Sequence, residues 1–443
     1  MKSLADLVED DATAVTGADG SSLTAADLRR GGLSVPDPDA RVALVLHEPA
    51  ALIRAVAALD GQVEAILPLN DGLDAESVDA LASQAGCTRI LTDRPDLLER
   101  ADAQRLETYL GAGRRDEALP TRWLMTTSGT TGLPKVVPHT LRSLSRSVMR
   151  TPATAEAVWG LLYDPTRFAG MQVVLQALIG GGRLVVADRA APLADQVAHL
   201  AREGVTHLSA TPTLWRRILM TPGHRDLALR QATLGGEIVD QSTLSAIGAA
   251  FPEARVSHIY ASTEAGVGFS VTDRLAGFPA RYLDAAPGGV RLKVVDGILW
   301  LRAPGAPLPR DVPGVVVDEE GFVRSGDRVE QDEKRLRFLG RDNGSLNVGG
   351  VKVHPERIEA VIGAVPGVVL ARVTGKRSPL TGSLVVAEVM LEPGASPEDV
   401  RARILEQCRT HLEREAVPAI LRFVDGFTTN SAGKLVRTQG AKA

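Results

Sequence analysis

The chain has 443 residues, 44% hydrophobic and 23% charged, and its 50 basic and 54 acidic residues give a formal charge of −4. That balance suits a soluble globular protein of more than one domain and excludes a disordered, collagen-like or coiled-coil chain. It supplies no basic field for nucleic acid or an anionic membrane, so neither a nucleic-acid partner nor membrane insertion is expected. Only eight of the 50 basic residues are lysines, which makes any lysine inside a motif worth noticing. Cys87 and Cys408 lie far apart with no CxxC spacing, and the eight histidines never fall at HxH or HExxH spacing. Both facts argue against a disulfide framework or a Cys/His metal site and for a reducing compartment. Asp6, Glu9, Asp10 and Asp11 stand where a secretory leader needs a basic and then an apolar run, so a cytoplasmic location is expected.

In chain order, residues 41–47 read as a strand, 48–59 as a helix, 65–70 as a strand, 74–86 as a helix and 89–93 as a strand. The same rhythm returns from Trp159 to Ser262. Strands alternating with helices, and few tight hairpins, predict an α/β fold with parallel-rich sheets covered by helices. After about residue 275 the texture changes to strand-like runs separated by Asp296-Gly297 and Gly349-Gly350, the signature of antiparallel hairpins and a β-rich subdomain. From Pro355 onward helices and strands alternate again over about 100 residues, predicting a small separate α+β unit. A boundary is placed near Gly340–Gly344, giving domains over 1–340 and 341–443.

The most informative run is Trp123-Leu-Met-Thr-Thr-Ser-Gly-Thr-Thr-Gly-Leu-Pro-Lys135, an apolar strand leading into a hydroxyl- and glycine-rich loop that ends in a lysine. Glycine lets backbone N–H groups wrap an anion, the hydroxyls add donors and the lysine adds charge, which together suit a phosphate. It is not a GxxxxGK[ST] loop, because Val136 follows Lys135. Thr127–Lys135 resembles the phosphate loop of the acyl-adenylating superfamily, which comprises acyl- and aryl-CoA synthetases, peptide-synthetase adenylation domains and beetle luciferases. Leu234-Gly-Gly-Glu237, Tyr260-Ala-Ser-Thr-Glu264 and Ser325-Gly-Asp327 resemble further motifs of that family, in its order. So do Gly340-Arg341 with Asn347-Val-Gly-Gly350 and Pro355-Glu-Arg-Ile-Glu359, and Ser431-Ala-Gly-Lys434 with Arg437. Val136 and Ile298 depart from the family pattern at a Gly and a Glu position.

The resemblance implies a large N-terminal domain with a compressed N-terminal lobe, a small mobile C-terminal domain, and ATP and Mg²⁺ as cofactors. It implies that Thr127, Ser128, Gly129, Thr130, Thr131, Gly132, Lys135, Gly236, Glu237, Tyr260, Thr263, Asp327 and Arg341 bind the nucleotide, with Tyr260 stacking on adenine and Asp327 on the ribose. It also implies that Lys434, Glu264 and Thr263 are catalytic, that Glu264 is the Mg²⁺ ligand, and that Asn343 is the hinge. Lys434 would bridge the acid's carboxylate and the α-phosphate, stabilising charge that spreads in the transition state.

The acid pocket is expected to be lined by His139, Phe168, Gly170, Met171, Gly235, Ala261 and Gly266, with Phe269 nearby. Ala169 stands where relatives acting on α-amino acids carry an ammonium-binding Asp, which points to a flat apolar slot for an aromatic or cinnamoyl-like acid. Arg167 either pairs with a second acidic group or faces solvent. The acceptor is expected to be a thiol, from CoA or the pantetheine arm of an acyl or peptidyl carrier protein, reached past Val348-Gly-Gly350. An amine or nitrite acceptor, and a non-catalytic nucleotide-binding homologue, are the other readings.

Overall fold

The computed structural model describes residues 2–8, 13–29, 37–106, 118–127, 134–306, 308–378, 382–428 and 434–435. Its first sheet has the strand order β6-β5-β3-β4-β7-β8, made by β3 (Arg41–Val45), β4 (Ala65–Leu69), β5 (Arg89–Thr92), β6 (Ala103–Gln104), β7 (Arg122–Thr126) and β8 (Val136–Thr140). All its pairings are parallel except β7–β8, which folds back across the phosphate-loop sequence. The two strands at the centre bury every residue but Arg41, as a parallel strand covered on both faces should.

The second sheet runs β14-β13-β12-β11-β9-β10-β1-β2. Its members are β1 (Thr13–Thr16), β2 (Ser22–Thr24), β9 (Val158–Leu161), β10 (Arg183–Val186), β11 (His207–Ala210), β12 (Gln231–Gly235), β13 (Arg255–Ser262) and β14 (Gly266–Val271). Helices α1 (Pro49–Leu59) and α3 (Phe168–Gly180) belong to one hydrophobic core that draws on both sheets, including Leu44, Ile66 and Trp123 from the first and Val15, Trp159 and Leu184 from the second. Trp123 is fully buried, and its Nε1 donates to Asp60 Oδ1 at 2.8 Å. Helix α2 (Ala75–Gln84), capped by Asp74, covers the other face of the first sheet. Helices α4 (Leu193–Arg202), α5 (Pro212–Met220) and α6 (Gln241–Ala250) pack on the second.

A five-stranded antiparallel sheet, β15-β19-β18-β17-β16, follows. It contains β15 (Phe278–Pro279), β16 (Arg291–Val295), β17 (Ile298–Arg302), β18 (Val323–Gln331) and β19 (Arg335–Arg341). The predicted Asp296-Gly297 hairpin joins β16 to β17, with φ of 53° and 74° at its two turn residues, as a two-residue turn of this twist requires. The last sheet consists of β20 (Leu346–Val348), β21 (Val351–Val353), β22 (Val368–Ser378), β23 (Gly382–Leu391) and β24 (Ile420–Phe423). With α7 (Pro355–Gly363) and α8 (Pro397–His411) it builds a core of its own. This fold is the predicted α/β architecture: large parallel-rich sheets, a β-rich part and a small α+β unit.

The small unit sits on α5. Arg216 donates to the Val369 carbonyl oxygen at 3.0 Å while pairing with Asp240 at 2.7 Å, so one guanidinium ties the two parts together. Cys87 and Cys408 are free, and burial pushes their thiols up to about 12 and about 11, which leaves both unreactive. No helix among the described residues is long and apolar enough to cross a membrane.

Gly170, in the first turn of α3, lies against the loop before that helix: a Cβ there would stand 2.1 Å from the Asp164 carbonyl oxygen. Backbone cannot rotate away as a side chain can. Gly170→Ala is therefore expected to cost about 1–3 kcal/mol or more, measured as a lower denaturant midpoint at unchanged m value.

Candidate active site

The carboxyl ends of several parallel strands deliver the sequence-predicted groups to one region, as open α/β sheets generally do. The end of β7 gives Thr126 and Thr127. Thr127 N–H donates to the Lys135 carbonyl at 3.0 Å and Thr127 Oγ1 accepts from Lys135 N–H at 3.2 Å, closing the neck of the phosphate loop. Ser128, Gly129, Thr130, Thr131 and Gly132 lie outside the described residues, as do Ser431–Gly433 and Arg437. The Lys135 ammonium comes to rest on Gly314, 3.0 Å from where a Cβ would be, and Gly314 has φ of +70°.

Past β9, Tyr163 is buried and its hydroxyl donates to the Gly235 carbonyl at 3.3 Å, linking this strand end to that of β12. Gly236 follows at φ +85°, a conformation that favours glycine, and Lys434 lies over it with Cε 3.3 Å from the missing Cβ. Glu237 then does something its motif did not announce. One carboxylate oxygen accepts from Thr213 N–H at the start of α5 (3.0 Å), and the other accepts from Leu435 N–H (3.2 Å). Glu237 thus holds the lysine-bearing segment down on the large domain. Burial drives the Lys434 amine below its ordinary value, against the pull of Glu237, Asp327 and Glu264.

Tyr260, which the resemblance makes a stacking partner for adenine, has its ring parallel to Phe269 (5.3 Å, 21°) and Phe338 (5.0 Å, 15°), while its hydroxyl donates to Asp327 Oδ2 at 2.6 Å. Phe269, expected near the acid slot, belongs to this aromatic stack because the β13–β14 register sets it directly opposite Tyr260. Asp327 Oδ1 pairs with Arg341 Nε at 2.8 Å, and burial raises its carboxyl despite that cation. A carboxylate with both oxygens already engaged is oriented, and each oxygen keeps a lone pair for a further donor.

His139, on β8, is buried. Its Nε2 lies 2.7 Å from the Thr263 carbonyl, and its ring is 5.5 Å from that of Phe168. Burial lowers its pKa, so it is neutral at pH 7, and the hydrogen bond places a proton on Nε2. Thr263 and Glu264 form the turn after β13, both half-buried, and Gly266 opens the next strand at φ +76° with open space beside it. Ala261 is half-buried on β13, whereas Met171 is fully buried in the first core and Gly170 faces Asp164. Among the described residues no cluster of three or more His, Cys, Asp or Glu side chains could hold a metal. Glu264 as a lone oxygen donor fits a Mg²⁺ whose remaining ligands are phosphate oxygens and water.

Asn343 lies exposed in the turn Asp342–Gly344, and the residue before it is clamped: Asp342 pairs with Arg324 at 2.8 Å and with Arg328 at 3.8 Å. Arg167 does not face solvent. It is mostly buried, and its Nη1 donates to Thr126 Oγ1 at 2.8 Å, at the neck of the phosphate loop.

A family model described as AMP-binding enzyme matches residues 19–318, and another, AMP-binding enzyme C-terminal domain, matches residues 357–434. The chain belongs to the AMP-binding enzyme family. Among its relatives is a fatty acid–[acyl-carrier-protein] ligase, ScoC, of Streptomyces coeruleorubidus, 30% identical over 71% of this chain and 65% of that one. Another is the 2-succinylbenzoate–CoA ligase of Salmonella typhimurium, 27% identical over 68% of this chain. The aligned part spans 65% of each of these two ligases. In fold, the chain is similar to ATP-bound MatB from Rhodopseudomonas palustris, with a TM-score of 0.80 at 22% identity over 98% of this chain and 96% of that one.

Glu237→Gln keeps the shape but removes the charge that holds both amides. Hydrogen exchange at the Leu435 amide is expected to quicken by about tenfold or more, with a smaller change at Thr213 inside its helix.

Proposed function

We propose that this protein activates a carboxylic acid with ATP, releasing pyrophosphate and forming an acyl-AMP, and then passes the acyl group to a thiol. The observation that carries this is the burial of Lys434 over Gly236, among Glu237, Asp327 and Glu264. A cation moved out of water into that position serves to meet anions. A carboxylate oxygen of the acid attacks the α-phosphorus, and the bond from that phosphorus to the bridging oxygen breaks, releasing pyrophosphate. Lys434 neutralises the two anions as they approach, and Thr127 and Lys135 hold the phosphates at the loop neck. Glu264 would hold the Mg²⁺, whose charge offsets that of the phosphates. Asp327, oriented by Tyr260 and Arg341, accepts from the ribose hydroxyls.

In the second step the thiol sulfur attacks the acyl carbon, its proton is lost to solvent, and AMP leaves. Lys434 has no part in that step, and the small unit turns about Asn343 between the two. The Asp342 pairs with Arg324 and Arg328 hold it in the first orientation. The exposed hairpin tip at Gly349 and Gly350, with φ of +62° and +90° and nothing crowding either, suits a side-chain-free path for a pantetheine arm. Relatives named for CoA and for a carrier protein support a thiol acceptor.

The acid is aromatic or cinnamoyl-like. Supporting this are the Phe168–His139 ring pair, neutral His139, Ala169 in place of an ammonium partner, and a relative named for 2-succinylbenzoate. A pyrophosphate-release screen is expected to favour benzoates and cinnamates; preference for acetate or α-amino acids would reject this substrate class. Product analysis with CoA, a holo-carrier protein and nitrite offered in parallel should return a thioester.

Lys434→Ala is expected to slow ATP–pyrophosphate exchange by at least about a hundredfold while sparing thioester formation from supplied acyl-AMP. Equal loss in both half-reactions would contradict the role given to Lys434. Because burial lowers the Lys434 pKa, its charge is lost at a pH below 10.5 as pH rises, so kcat/KM for exchange should fall on the alkaline side before that value. In Lys434→Arg, whose guanidinium stays charged, the residual activity should lack that limb.

A further inference from the structure

Arg167 is the N-cap of α3, yet its side chain makes no cap bond, and a guanidinium has nothing to accept an amide hydrogen with. It turns instead to the neck of the phosphate loop, where Nη1 donates to Thr126 Oγ1 at 2.8 Å and to the Thr127 carbonyl at 3.4 Å. The next residue, Phe168, packs beside His139. Arg167 therefore stands at the border between the aromatic wall and the phosphate neck, where the acid's reacting end has to lie.

Its charge is poorly balanced there. The nearest carboxylate, Asp164, is fully buried and already accepts from Thr166 N–H (2.9 Å), Thr166 Oγ1 (2.7 Å) and Asn70 Nδ2 (2.7 Å). It is also shared by two guanidiniums at a distance, Arg189 at 3.6 Å and Arg167 at 4.0 Å. Two cations on one carboxylate leave a unit of positive charge over. The buried Arg167 Nε has no hydrogen-bond acceptor among the described residues. Burial opposes the Arg167 charge, and a buried, incompletely paired cation is costly unless an anion arrives.

We propose that Arg167 binds the carboxylate of the acid to be activated, and so makes carboxylate anchoring a property of the acyl pocket itself. This rests on the adenylation reading above. Arg167 would hold the anion before the bond to phosphorus forms and lose its partner's full charge once the mixed anhydride exists, which favours release toward the acceptor. Planar, two-donor recognition is what guanidinium offers a carboxylate and an ammonium does not.

The test is ATP–pyrophosphate exchange with benzoate, 4-hydroxycinnamate, octanoate and succinate, in the wild type and in R167Q and R167K, with melting temperatures recorded alongside. Wild-type exchange with at least one acid is expected; exchange with none would overturn the adenylation reading and this inference together. With that acid, R167Q should raise the acid's KM by about ten- to a hundredfold while the KM for ATP stays near the wild-type value. R167K, which keeps charge without the fork, should give a smaller rise and stands in if R167Q does not fold. An unchanged acid KM, or a rise in the KM for ATP alone, overturns the role of Arg167 and leaves the adenylation reading standing. Loss confined to succinate also overturns it, because the guanidinium would then serve the far carboxylate of a diacid.

Discussion

Lys434 lies in a buried place over Gly236, and the partners that compensate for that burial tie together distant parts of the structure. Taking an ammonium out of water is unfavourable unless carboxylates and hydrogen-bonded backbone compensate. Glu237 supplies both, attracting Lys434 through its charge and fixing the adjacent Leu435 amide at 3.2 Å. The same carboxylate is held by the first turn of α5, and α5 also carries Arg216, which ties the small unit to the large one through Val369. Docking of the small unit and placement of its lysine are thus coupled through one helix.

The remaining groups are assembled by sheet geometry. Parallel strands put their carboxyl ends on one side, so Thr127, Tyr163, Glu237 and Glu264 converge although they follow four different strands. Cross-links then fix the strand ends relative to one another: Tyr163 to Gly235, His139 to Thr263, Arg167 to Thr126, Tyr260 to Asp327. Each joins elements far apart in sequence, and each uses a backbone carbonyl or a side chain with a fixed partner. These cross-links tie the strand ends of the large part to one another, and Asp342, where the small unit begins, is itself held by Arg324.

Much of this was readable in advance. Alternating apolar periods gave helices α1 to α8 and most strands within a few residues, and Asp-Gly and Gly-Gly steps gave the two hairpins. The ordered motifs gave the family and most of the residues that converge. What escaped was partnership. The Glu237 motif marks a nucleotide-binding residue and gives no sign that its carboxylate spans 198 positions to reach Leu435. Phe269 read as part of an acid slot and joins the Tyr260 stack through strand register. The sequence allows two readings of Arg167, because a single arginine among many carries no local signal of where it points. The antiparallel β8 and the N-terminal β1–β2 pair carry no clear sequence signal, since short, half-buried strands have little periodicity to show.

The sequence by itself determined the elements and the family chemistry, because periodicity, turn residues and short motifs act within a few residues of one another. Only the tertiary structure decided that β1 pairs with β10 across the chain, that Glu237 rather than a neighbour secures Lys434, and that Arg167 is turned inward beside a carboxylate already taken. Those outcomes depend on which buried polar groups find partners once the sheets have packed, and that competition is settled across the whole molecule.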